Sequence, residues 1–139
     1  MARLGAALAA LVLLAAAGCS EADLLTAPTS SARLDGTWHL ASLQTSAVSH
    51  TEPASERRFT LTFADDRLLV KADCNTCAAS TTLDGDVLTV SLLACTKAIC
   101  TTTPLDTVFT TSLETSHTVR LDASRLQLAS TRGELRFER

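Results

Sequence analysis

Beyond Leu34 apolar and polar residues alternate with a period of two over most of the chain, the pattern of half-buried strands. The run 37–43 predicts a first strand with Trp38, Leu40 and Ser42 on one face, followed by a polar loop containing Pro53. Phe59, Leu61 and Phe63 then alternate with Thr60 and Thr62, and Asp65-Asp66 supplies a tight turn into Leu68, Leu69 and Val70, so these two runs should form a hairpin. A second hairpin is predicted where Cys77–Leu83 and Val87–Leu93 flank Asp84-Gly85-Asp86. One segment breaks the period. Thr103 can cap, Pro104 suits the first helical position, Asp106 favours the positive end of the dipole, and Leu105, Val108, Phe109 and Leu113 share one helical face. The spacing predicts one amphipathic helix over 104–115. Three short runs, 118–121, 126–129 and 135–137, finish the chain. Five strands, one helix and three strands give an α+β class: a curved antiparallel β-sheet of about eight strands with the amphipathic helix packed on it.

The first 33 residues follow another pattern. Leu4 to Gly18 carry no charge and are almost entirely Ala, Leu, Val and Gly, Arg3 precedes them, and the run closes on Ala16-Ala17-Gly18-Cys19. Residues 1–18 therefore predict an export signal, too short for a comfortable membrane span. The ending, Leu14 to Gly18 followed by Cys19, resembles the bacterial lipoprotein box. That resemblance implies cleavage before Cys19, a thioether-linked diacylglyceryl group on its sulfur and acylation of the new amino terminus. Two or three acyl chains hold firmly where one would not. Ser20, standing where an aspartate would favour inner-membrane retention, points to the outer membrane, facing the periplasm. Residues 19–33, small and polar with Pro28, predict a flexible tether, leaving 34–139 as the folded domain.

Composition changes the picture once the leader is set apart. The 139 residues are 46% apolar, 4% aromatic and 19% charged with a net charge of −3, but the leader holds only Arg3 among the charged residues, so the remainder is net −4 and more polar than the average. That balance gives no support to nucleic-acid binding. Sparse Gly and Pro exclude a collagen-like chain.

Cys74, Cys77, Cys95 and Cys100 are the chemically conspicuous residues of the domain. Their spacing, Cys-x2-Cys and later Cys-x4-Cys, approximates a zinc ribbon, but an exported protein with four such cysteines is normally oxidised, so disulfides are expected and no metal. A thioredoxin-like role would need a βαβ setting that the β-rich stretch lacks. Haem attachment fails because Ala78 follows Cys77. Of three connectivities, a Cys74–Cys77 link would close a very small loop and do little for the fold. The nested set, Cys74 with Cys100 and Cys77 with Cys95, would tie the hairpin base. The crossed set suits the register of a two-residue turn at Asp84-Gly85.

Leu34-Asp35-Gly36-Thr37-Trp38, the Cys74-Asn75 pair after a strand, the Thr96-Lys97-Ala98-Ile99-Cys100 segment and a helix before three closing strands together resemble the META domain, the family of the HslJ-like heat-shock lipoproteins. The likeness spans 34–139. Cys74 and Asn75 correspond to the family's Gly-Cys-Asn pattern, and Thr96 and Cys100 to its Thr-x-x-x-Cys pattern. Cys77 and Cys95 have no counterpart there and look like an added bridge, so the resemblance implies the nested pairing. Asp73 replaces the usual glycine, and Ala78-Ala79-Ser80 stand where a glycine and an aromatic residue are usual. The resemblance implies an envelope or stress-related role without an established enzymatic activity.

No catalytic constellation is visible. His39, His50 and His117 are scattered, no serine sits in a Gly-x-Ser-x-Gly elbow, no glycine-rich phosphate loop exists, and Asp65, Asp66, Asp84 and Asp86 lie at predicted turns. The expected function is non-enzymatic and without a cofactor: an exported lipoprotein held to the membrane through Cys19, serving an interaction or scaffolding role toward an envelope protein partner. The alternative is a lipocalin-like carrier of a small apolar ligand, suggested by Gly36-Thr37-Trp38. Against it stands the helix after the fifth strand, because a lipocalin barrel needs eight strands in sequence.

Overall fold

The computed structural model describes residues 33–100 and 105–139. The alternating runs become β1 (Gly36–Gln44), β3 (Phe59–Ala64), β4 (Arg67–Ala72), β5 (Asn75–Asp84), β6 (Val87–Val90), β8 (Ser116–Leu121), β9 (Arg125–Ser130) and β10 (Gly133–Glu138). Two short strands accompany them, β2 (Ser49–Thr51) and β7 (Ala94–Cys95). The helix α1 covers Leu105–Leu113, shorter at its C-terminal end than its apolar spacing predicts; Thr103 and Pro104 lie outside the described residues, as do the export signal, Cys19 and nearly all of the tether.

The sheet is not open. Its strands run β10-β9-β8-β6-β5-β4-β3-β1, and β10 also pairs antiparallel with β1, so eight strands close into a barrel, with β2 on β1 and β7 on β5. This corrects the curved sheet. β1 is long enough to serve two neighbours, giving Gly36–His39 to β3 and His39–Gln44 to β10. Closure leaves neither β1 nor β10 as a free edge. A register shift between Leu40 and Ser42 accompanies the change of partner and changes the phase of the strand. Trp38, Leu40 and Leu43 therefore point inward, and Ser42 does not.

One end of the barrel is sealed by the segment that crosses from β6 to β8. Phe109 of α1 is fully buried, meeting Phe59 edge to face with centroids 5.1 Å apart and Phe137 at 6.3 Å. The helix thus fills the interior with its apolar face rather than lying on an outer sheet surface. Its C-terminal carbonyls find partners from the β9–β10 turn and from β8: Arg132 Nη1 donates to Thr111 O and His117 Nε2 to Leu113 O. At the opposite end Trp38 is buried, its Nε1 donates to Leu34 O at 2.8 Å, and the Arg139 guanidinium lies 3.8 Å over its ring.

Candidate functional site

Of the family-motif residues, Cys74, Asn75, Thr96 and Cys100 converge beside the first turn of α1, while Trp38 stands apart at the other end of the barrel. Cys74 is bonded to Cys100 and Cys77 to Cys95, the nested set. Leu83 pairs with Leu88 and Asp84 with Val87, so the hairpin turn is Gly85-Asp86 rather than Asp84-Gly85. Continued along the strands, that register would set Ala94 opposite Cys77; one extra residue between β6 and β7 brings Cys95 opposite Cys77 instead. All four sulfurs are thus committed to disulfides and are not available as zinc ligands.

Asn75 is the centre of this junction. It is buried, and its side chain pairs with Ala98 twice, Oδ1 accepting from Ala98 N at 2.8 Å and Nδ2 donating to Ala98 O at 3.1 Å. Oδ1 also accepts from Thr96 Oγ1 at 3.0 Å, and Nδ2 reaches Asp106 Oδ2 at 3.3 Å. Thr96 Oγ1 in turn accepts from Thr76 N at 3.0 Å. A short side chain thereby supplies the contacts that a strand would supply, tying 96–98 to β5 and to the first turn of α1. Asp73, where glycine is usual, has φ of 57°, the left-handed conformation that glycine adopts without cost and aspartate tolerates. Among the described residues all the cysteines here are in disulfides. The chemistry of the junction is that of a clamp.

A second polar cluster escaped the sequence reading. Glu52 is buried, with His50 Nε2 2.8 Å from Oε2 and Arg58 donating its backbone N to Oε1 at 3.3 Å and Nη2 to Oε2 at 3.5 Å. Arg58 Nε lies 2.7 Å from Glu56 Oε2 and its guanidinium sits 5.6 Å from the Phe59 centroid. These contacts satisfy a carboxylate buried where the β2–β3 connection folds over the barrel. Nothing in the sequence spacing marks them, since His50 and Glu52 sit in an ordinary polar stretch before Pro53.

The three histidines stay apart in role. His39 is held below its ordinary pKa by burial and then by the nearby Arg57 charge. His117 is buried and also lowered, by burial first and by Arg132, against the raising effect of its bond to Leu113 O. Because a carbonyl only accepts, the His117 proton is on Nε2, and its Nδ1 has no hydrogen-bond partner. Asp84 and Asp86 flank Gly85 as turn residues, and among the described residues no cluster of His, Cys, Asp and Glu could hold a metal ion.

No curated protein matches the chain. Among solved structures, an NMR structure of a protein from Burkholderia xenovorans aligns at TM-score 0.60 and 21% identity, covering 82% of this chain and 90% of that one. A lipocalin-like protein from Bacteroides uniformis aligns at TM-score 0.56 and 18% identity over 77% of this chain and 98% of that one. A DUF4847 family protein from Bacteroides vulgatus aligns at 0.52 and 18%, over 75% and 92%. These likenesses show the fold. The family model described as the META domain matches residues 31–139, the whole barrel with its disulfides, its Cys74-Asn75 corner and its Trp38 seal, and the chain therefore belongs to the META domain family.

Proposed function

We propose that the protein is an exported lipoprotein, anchored through Cys19 to the outer membrane and facing the periplasm, whose barrel serves a non-enzymatic interaction or scaffolding role among envelope components. The anchor rests on the sequence around Cys19, and the observation that supports the interaction role is the filled interior. Phe109, Phe59 and Phe137 occupy the space beneath α1, and Trp38 with Arg139 seals the other end. A barrel packed in this way works through its outside. Fractionation of cells expressing the Cys19→Ser variant tests the anchor: the wild type is expected in the membrane fraction and the variant released, and a variant that stays membrane-bound overturns the lipoprotein reading. Crosslinking in intact cells with the anchored protein tests the interaction role, which falls if no envelope component is recovered.

The second reading, a carrier of a small apolar ligand, draws on the closed eight-stranded barrel and on the likeness to a lipocalin-like protein. It requires α1 to move and open the interior. Native mass spectrometry of protein purified from membranes separates the two, because a carrier retains an apolar molecule and a packed scaffold does not.

A further inference from the structure

The outer face of β8, β9, β10, β1 and β2 carries a continuous row of hydrogen-bonding side chains. Direct cross-strand pairing sets Arg120 beside Gln127, Gln127 beside Arg136, Arg136 beside Ser42, and Ser42 beside Thr51. Directly paired residues project from the same face, and the sequence neighbours Val119, Leu126, Leu128, Leu135, Phe137 and Leu43 point into the core, so all five point outward. Arg125 projects from the same face two residues before Gln127. These side chains line a groove of about 620 Å³ on the barrel surface.

The row itself contains neither a carboxylate nor an apolar side chain. Glu134, at its flank, accepts from Gln127 Nε2 at 2.6 Å and from Arg136 Nε at 2.5 Å, which fixes both donors in place. Arg120 and Arg125 form no ion pair among the described residues. Asp122 and Glu138 line the same groove, with Ala41 and Leu121. Asp122 is engaged through Oδ1 by Ser124 N and Arg125 N, and Glu138 stands between Arg125 and His39 in the cross-strand register, which leaves Arg120 as the groove's cation with no carboxylate directly opposite it.

We propose that this row binds an acidic polysaccharide lying across the strands. The inference rests on the outer surface being the working surface of the barrel. Five strands span roughly 19 Å, and Arg120 and Arg136 stand two strand spacings, roughly 10 Å, apart with an amide between them. That alternation suits a polymer in which acidic groups recur among hydroxyls. Guanidinium forks take carboxylates in bidentate fashion, while Gln127, Ser42 and Thr51 can both donate to and accept from hydroxyls. An acidic peptide would be expected to add along a sheet edge, whereas the arginines and Gln127 lie on β8, β9 and β10, each paired on both sides. Single-stranded nucleic acid would call for aromatic stacking platforms, and the row has none.

The test is titration of the full chain, purified in detergent, with oligogalacturonate, a neutral maltooligosaccharide, polyglutamate and polyphosphate. Oligogalacturonate should bind, more weakly as salt is raised, and the neutral sugar should not. The Arg120→Gln/Arg136→Gln variant should raise the Kd by about tenfold or more, and Arg67→Gln, on the distant outer face of β4, should leave it unchanged. Either single variant serves if the double variant does not fold. Absence of binding, equal binding of polyglutamate and polyphosphate, or indifference to the arginine variants overturns the inference. If oligogalacturonate fails to bind while envelope proteins are still crosslinked in intact cells, this ligand falls and the interaction role stands.

Discussion

The Asn75 side chain makes with Ala98 the pair of hydrogen bonds that a neighbouring backbone would make. Asn75→Ala leaves Ala98 N and Thr96 Oγ1 without their shared acceptor and should cost about 2–4 kcal/mol, read as a lower denaturant midpoint with both disulfides intact. Asn75 and Thr96 were legible only through the resemblance to the family's pattern around Cys74 and Cys100, since the spacing of polar residues alone singles out neither. His117 is the contrary case, a histidine among threonines whose burial arises only when β8 turns it inward beneath the helix. Its pKa is lowered in the fold, so over the window below the ordinary histidine value of about 6.5 the unfolded chain binds protons that the folded chain does not. Its contribution to stability is present in full above that value and is lost as pH falls through the folded-state pKa; His39 acts in the same direction. The melting temperature should therefore fall between neutral and mildly acidic pH, and the His117→Gln variant should flatten part of that slope.

Asp65 and Asp66 occupy the two-residue connection between β3 and β4, with φ of 49° and 58°. Positive φ at both positions is the geometry that favours Asn-Gly or Asp-Gly in a hairpin. The Asp66→Gly variant should accordingly raise stability by about 0.5–1 kcal/mol in chemical denaturation. Both hairpins were legible because paired strands of matching period announce a turn between them. β2 and β7 were not, since three and two residues are too few to establish any period. The same limit hid the phase change in β1. A register shift next to Ala41 exchanges which residues face the core, and the alternation of Trp38 and Leu40 says nothing of it until β10 is seen to take over from β3.

Closure of the barrel is a property of no single strand. Each run of alternating residues fits an open curved sheet as well as a barrel, and the helix after the fifth long strand argued for the former. In the fold the same helix becomes the plug, and β6 and β8 meet as neighbours beneath the crossover. The disulfides fasten that crossover, one across the β5–β7 pair and one from the corner before β5 to residue 100, bridging 18 and 26 residues of chain. Replacing Cys77 and Cys95 together by alanine, or Cys74 and Cys100 together, should each lower stability by about 2–4 kcal/mol, measured calorimetrically against the fully oxidised chain. Both bridges lie inside the span from β4 to α1, whereas the seam between β1 and β10 joins the first strand to the last. A chain that emerges N-terminus first, from the ribosome or under the proposed export, can form its early hairpins on the way, but it cannot become a barrel until its final strand has arrived. Pairing of such distant partners is slow. Until that moment both β1 and β9 present unpaired edges, and loss of even the last few residues would leave the domain permanently in that aggregation-prone condition.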